Sequence, residues 1–242
     1  MNKKAAIRIL QLYPDDMNIY GDWGNALTLL RRLEWRGFDV ELLSYNPGDV
    51  FPDDIDVIVG GGGQDSGQTK IEDDLRGLGP TLKALAEQGT PMLVICGLYQ
   101  LFGHHFTTKD GITIEGIDLL DVTTVGGNER LIGNIVTSSE EFGDIIGYEN
   151  HSGLTTLGAH TLPLGTVVRG AGNNLTDGHE GARYRNVIGT YLHGSLLPKN
   201  PKIADFLIEA ALRKKFGEDM TLENIDDTLE MNARKVAAAR PR

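Results

Sequence analysis

The chain is expected to be an α/β protein, a three-layer αβα sandwich built on a mostly parallel central sheet. Three observations lead there. Continuous apolar runs, IDVIV at 55–59, MLVI at 92–95 and VIGTYL at 187–192, are bounded by turn residues, the pattern of strands covered on both faces. Helix-compatible segments with apolar residues at three- and four-residue steps alternate with such runs, and that alternation favours parallel strands joined by crossover helices. Glycine makes up 31 of 242 residues, about twice the usual share, which suits tight turns and close backbone approaches better than a helical bundle.

Taken in order, residues 6–12 (AIRILQL) read as the first strand, and 13–20 as a loop holding Pro14, Asp15 and Asp16. Over 22–35, Trp23, Ala26, Leu27, Leu30 and Leu33 form the apolar stripe of a helix that Gly37 stops. Residues 40–45 make a second strand. A third, 55–59, runs straight into four glycines, 60–63. The helical segment 71–88 contains Gly77, Gly79 and Pro80, which should break or kink it. A turn, Gly89-Thr90-Pro91, leads into the strand 92–95.

Beyond Phe106 the texture changes. Strands are expected at 112–125 and 131–137, with Gly126-Gly127-Asn128-Glu129 as the hairpin loop between them, and again at 161–169. The Gly-, Asn- and charge-rich stretch 170–185 reads as a mobile loop. Residues 201–216 are helical, with Ile203, Phe206, Leu207, Ala210 and Ala211 on one face and Gly217 closing the helix. In the tail, Leu222, Ile225, Leu229 and Val236 recur at helical spacing. That pattern fits a surface helix packed on the domain, or a partner-docking helix at about 221–240.

The totals exclude several function classes. One cysteine allows neither an intramolecular disulfide nor a Cys-cluster metal site and fits a reducing, cytoplasmic setting. A net charge of −11 argues against a general nucleic-acid binder, which needs a basic surface. No stretch approaches the roughly 20 apolar residues of a membrane span. With no repeat, low-complexity tract or clear linker, 1–242 is expected to be one domain.

The chemistry gathers at 91–103, PMLVICGLYQLFG. A strand stops at Cys96, Gly97 follows, and an apolar run compatible with a helix continues over 98–102. A cysteine on such a turn is exposed at the sheet edge, where helix N–H groups favour a thiolate. The residue after it, Gly97, can supply an oxyanion N–H. The alternative is a buried, inert Cys. The strand 187–192 ends at His193, and the third strand at the glycine loop. Ligands of parallel α/β sheets bind outside the carboxyl ends of the strands, so Cys96 and His193 can meet there as an activated nucleophile and base. The glycine loop lacks G-x-x-x-x-G-K-[ST] and does not fit G-x-G-x-x-G, which argues against a phosphate cradle. The adjacent His104 and His105 face different ways on a helix and make a poor metal pair. His151, in GYENHSG, is a second candidate base that ranks below His193, because no buried strand directly precedes it.

VICGLYQLFG resembles the nucleophile turn of class I, triad-type glutamine amidotransferases, and GTYLHGSLLPKNP matches their cobyric acid synthase-like branch. Together with LYPDDMNIYGDWGN, VGGGGQD, ERLIGN and GYENHSG, these motifs are similar to the glutaminase subunits of bacterial lipid II isoglutaminyl synthases, over nearly the whole chain. The resemblance implies that Cys96 attacks the side-chain amide of L-glutamine and that His193 shuttles the proton. It implies that Gly97 and a glycine of the 60–63 loop, Gly62, form the oxyanion hole, and that Gln100 touches substrate. Arg130, in ERLIGN, would bind substrate, and a guanidinium is suited to clamp the α-carboxylate. The residues alone would leave Arg130 an exposed loop charge.

The resemblance further implies no metal or cofactor in this chain, with ATP and Mg on a Mur ligase-like partner that amidates D-glutamate in lipid II. The same glutaminase feeding another acceptor such as a corrinoid carboxylate, a silent glutaminase-fold docking module, and a cysteine hydrolase of peptides or esters are the rival readings. Two positions depart from the pattern. Val94 and Leu98 replace the glycines of G-x-C-x-G, and Ser195 stands where these enzymes carry a Glu. The expectation is therefore a Cys–His dyad, or a third acid supplied by a partner subunit.

Overall fold

The computed structural model describes residues 6–241; residues 1–5 and 242 of the expected domain lie outside them. The elements run β1 (Ile7–Leu12), α1 (Trp23–Glu34), β2 (Val40–Tyr45), β3 (Val57–Gly60), α2 (Asp65–Glu87), β4 (Met92–Ile95), α3 (Gly97–Leu101), β5 (His105–Thr107), β6 (Thr113–Glu115), β7 (Val122–Ser139), β8 (Gly143–Leu157), β9 (Gly165–Arg169), β10 (His179–Glu180), β11 (Ala182–Tyr184), β12 (Val187–Thr190), α4 (Pro201–Phe216) and α5 (Thr228–Ala239). A 3₁₀ turn, Leu197–Lys199, precedes α4.

Six strands form the main sheet in the order β11-β12-β4-β3-β1-β2. Every pair is parallel except β11 with β12. Each residue of β3, β4 and β12 is buried, as their apolar runs predict for strands covered on both faces. Their adjacency matters for function. Gly60 pairs with Val94, and Thr190 with Ile95, so the three chain exits leave the sheet side by side.

A second sheet, in the order β10-β9-β7-β5-β6 with β8 also paired to β7, is mostly antiparallel. It packs beside the first, and His193 is tied to β8 by its N–H, which donates to the Tyr148 carbonyl at 2.8 Å. The expected sandwich thus carries a second sheet built from strands β5 to β10.

Several local expectations change: the strand expected over 112–125 is split between β6 and β7, and that expected over 161–169 begins at Gly165. Gly126–Glu129 is not a hairpin loop: β7 runs on through it with a register shift between Gly126 and Leu131, and the turn to β8 falls at 140–142. The glycine serves a close approach instead, since a Cβ on Gly126 would lie 2.6 Å from the backbone nitrogen of Lys109. Helix α2 passes Pro80 unbroken because Ile71, Leu75, Gly79, Leu82 and Ala86 keep one buried stripe across it. In α1 the buried face is Asn25, Ala26, Leu29, Arg32 and Leu33, and Trp23 is exposed. The stretch 170–185 contains β10 and β11 and buries Asn173 and Glu180 completely, so it is not a free loop. Asn173 organises it: its Oδ1 accepts from Tyr99 and the Gly181 N–H, and its Nδ2 donates to the Gly181 carbonyl.

Candidate active site

Cys96 sits between β4 and α3 with φ 51° and ψ −103°. A non-glycine residue with positive φ costs about 1–3 kcal/mol and persists only where its surroundings fix it. Here the Cys96 N–H donates to the Thr190 carbonyl of β12, and its own carbonyl accepts from the Gln100 N–H of α3. The turn is thereby held from the neighbouring strand and from the helix it starts.

His193 follows β12 by three residues, at 1% exposure. The chain then turns through two further positive-φ residues, Gly194 at 76° and Ser195 at 44°. Gly62 marks where cysteine and histidine converge: a Cβ there would lie 2.8 Å from Cε1 of His193 and 3.1 Å from Cβ of Cys96. Sequence-remote Cys and His therefore face one glycine at one sheet edge.

The acid is in this chain. Oδ2 of Asp22, at the N-cap of α1, lies 3.3 Å from Nδ1 of His193, and both side chains are buried. Neither a bare dyad nor an acid from another subunit is needed. The contact is an ion-pair distance without an aligned hydrogen bond, and Asp22 Oδ1 has no partner among the described residues. Burial works against charge on His193. The Cys96 sulfur and the Asp22 carboxylate outweigh it and raise the imidazole to about 10.

Asp22 also changes the expected oxyanion donors. Its Oδ2 accepts the Gly62 N–H at 2.9 Å, which removes Gly62 from that role. The next N–H, that of Gly63, is free of hydrogen bonds among the described residues and lies beside Gly97: a Cβ on Gly97 would be 3.1 Å from it.

In front of Cys96 opens a cavity of about 310 Å³, walled by Gln100, Arg130, His151, Tyr20 and Gln68 among others. Gln100 is buried and fixed: its Oε1 accepts from Gln68 and its Nε2 donates to the Tyr191 hydroxyl. Arg130 is exposed at the mouth. Its Nε donates to Asn150 Oδ1 and its Nη2 to the Tyr20 hydroxyl, both at 2.6 Å, while Nη1 makes no hydrogen bond among the described residues. His151 is stacked flat on Tyr191 at 3.6 Å, with Nδ1 2.8 Å from the Gly153 carbonyl. Burial lowers it to about 3, so it stays neutral. It belongs to a strand after all, β8, which the sequence hid because polar residues alternate through it.

Cys96, Gln100 and Arg130 thus line one cavity, with His193 and Gly97 packed behind Cys96 near the glycine loop. Sequence reasoning missed Asp22, Tyr20, Gln68, Asn150 and Gly63. For Asp22 and Tyr20 the signal was the polar cluster IYGD directly before a helix; Gly63 and Asn150 lie in the quoted motifs VGGGGQD and GYENHSG.

The sequence model of the CobB/CobQ-like glutamine amidotransferase domain matches residues 8–201. The chain is 39% identical over 231 residues to the lipid II isoglutaminyl synthase (glutamine-hydrolyzing) subunit GatD of Staphylococcus aureus, covering 95% of this chain and 94% of that one. It is 38% identical to the subunit of the same name from Streptococcus pneumoniae, over 94% of this chain and 89% of that one. Among solved structures, PurLQS from Thermotoga maritima superposes with a TM-score of 0.58 at 15% identity, over 86% of this chain and 97% of that one, a likeness of fold alone.

Proposed function

Because the chain belongs to the CobB/CobQ-like glutamine amidotransferase family, we propose that it is the glutaminase subunit of a lipid II isoglutaminyl synthase. The observation that carries this reading is the convergence of Cys96 and His193 on Gly62, with Cys96 in the wall of a cavity whose mouth holds a guanidinium with unused donors. The near full-length identity to the two GatD subunits supports the choice of acceptor.

Arg130 clamps the α-carboxylate of L-glutamine through Nη1 and the remaining Nη2 hydrogen. Cys96, its proton passed to His193, attacks the side-chain carbonyl carbon. The negative oxygen is received by the N–H groups of Gly97 and Gly63. His193 returns the proton to the amide nitrogen, the C–N bond breaks and ammonia leaves, with a γ-glutamyl thioester on Cys96. Water, deprotonated by His193, then attacks the thioester and releases glutamate. Asp22 steadies the imidazolium throughout. Gln100, held by Gln68 and Tyr191, shapes the floor under the substrate chain.

Hydrolysis alone would waste ammonia. In this reading a Mur ligase-like synthetase binds ATP and Mg, activates the α-carboxyl of D-glutamate in the stem peptide of lipid II, and takes the ammonia. The complex would work in the cytoplasm at the inner face of the membrane. No helix among the described residues is long and apolar enough to cross one. The test is ammonia release from L-glutamine by the chain with its copurified synthetase, lost in Cys96→Ser. Absence of release from the unaltered complex would sink the proposal.

A further inference from the structure

Tyr20 touches both ends of the site. Its hydroxyl oxygen accepts from Arg130 Nη2 at 2.6 Å. Its ring lies over the His193 imidazole, with centroids 4.4 Å apart and planes tilted by 57°. The residue lines the cavity and is half-buried. Its backbone is not free to drift. Next to it, the Ile19 N–H donates to the Gly62 carbonyl and the Ser195 hydroxyl donates to the Gly21 carbonyl, so both flanks are pinned to loops that carry the reacting groups. Two residues on is Asp22.

We propose that Tyr20 is a specificity-determining residue that ties recognition of the amino acid's α-carboxylate to the placement of His193. The hydroxyl accepts from the guanidinium, so its own hydrogen is left to donate to the carboxylate that Arg130 holds. Clamp and phenol then grip the same group from two sides. The ring, drawn toward the occupied clamp, lies against His193 and holds the imidazole in place. An amide without an α-carboxylate would leave the guanidinium and the phenol unpaired and would lose both effects. The inference rests on the glutaminase reading above and adds a residue and a coupling to it.

The experiment compares Tyr20→Phe and Tyr20→Leu with the unaltered protein in complex with its copurified synthetase, each alone and combined with Arg130→Ala. Substrates are L-glutamine and 4-aminobutanamide, which keeps the reacting amide but has no α-carboxylate. Tyr20→Phe should raise the glutamine KM about tenfold, the loss of one charge-assisted hydrogen bond, with kcat within twofold. It should leave 4-aminobutanamide hydrolysis unchanged, and it should add nothing in the Arg130→Ala background. Tyr20→Leu should also lower kcat and move the alkaline limb of its pH profile, because the ring is gone. Equal melts would show that folding is intact, and if the Phe variant does not fold, the Leu variant's KM and pH profile decide alone. A normal KM in Tyr20→Phe, or an equal KM rise with and without Arg130, overturns the inference. If the unaltered complex hydrolyses no glutamine, the fault lies with the underlying glutaminase reading instead.

Discussion

Asp22→Asn separates a three-membered relay from a two-membered one. One carboxylate oxygen, Oδ2, faces His193 Nδ1 at 3.3 Å and accepts the Gly62 N–H at 2.9 Å. An asparagine can keep its oxygen there, so shape and the glycine contact survive while the charge is removed. At 3.3 Å and an effective dielectric near 20, opposite unit charges attract by about 5 kcal/mol. Water and neighbouring dipoles make up part of the loss, which leaves about 2–3 kcal/mol. That is about 30- to 150-fold in kcat/KM for glutamine. It also predicts an alkaline limb about two pH units lower, from a starting point at about 10. The sign follows from the direction of the shift: the carboxylate raises the imidazole, so its removal lowers it. The melt should also fall, because the carboxylate's attraction for the buried imidazolium is lost from the folded state. The assay is glutamate formation from pH 6 to 10.5, beside a thermal melt. Activity within threefold of the unaltered protein, with the alkaline limb unmoved, would refute the relay.

Arg130→Ala should raise the glutamine KM about 100-fold, the worth of a bidentate carboxylate clamp, and leave kcat within a few-fold; steady-state kinetics with an unchanged KM would exclude the clamp. His104 is held between Asp121 and Asp118, and those carboxylates raise its pKa. Its contribution to stability is therefore complete below about 6.5, the unfolded value, and is lost as pH rises through the higher folded one. Melts of His104→Gln should fall below those of the unaltered protein at pH 5.5 and converge with them at alkaline pH; a gap independent of pH would contradict this. Arg32 is 1% exposed and pairs with Asp205 of α4 and Asp227 at the start of α5. Its partners keep some water, so Arg32→Met should cost about 2–3 kcal/mol, read as a melt about 5–10 °C lower together with faster proteolysis of the tail.

The legible parts of the fold were those in which burial alone decides the residue types. Strand β4 falls where its apolar run puts it and is buried throughout; β2 and α4 keep their expected bounds, though α4 buries Ala204, Ile208 and Leu212 in place of Phe206 and Ala210. The failures share a cause. Glycine and proline are not always punctuation: Gly126 marks the approach of a neighbouring backbone, and Pro80 lies in a helix whose buried stripe outweighs its missing N–H. In the same way 170–185 has the composition of a loop, yet Asn173 and Glu180 supply buried hydrogen-bond partners that a local reading cannot see. Such residues look solvent-seeking until the partner is known.

The candidate site divides along the same line. Cys96, His193 and Gly97 were readable because strand ends converge in a parallel sheet, a rule that needs no side-chain detail. Asp22 was not readable, because the acid follows β1 rather than the histidine strand. Ser195 accounts for the change of address. It stands where the resembling enzymes carry their glutamate, and its short hydroxyl reaches the Gly21 carbonyl at 3.0 Å, fastening the loop that presents Asp22. Gly24 completes the fit, because a Cβ there would collide with the Ser195 side chain. A glutamate at 195 would need the space this loop fills, so serine at 195, glycine at 24 and aspartate at 22 form one steric and electrostatic unit. Restoring the family residue alone, Ser195→Glu, should therefore displace the Asp22 loop and lower activity rather than rescue it. Full activity in that variant would show that the two acids are interchangeable and that the unit is not one.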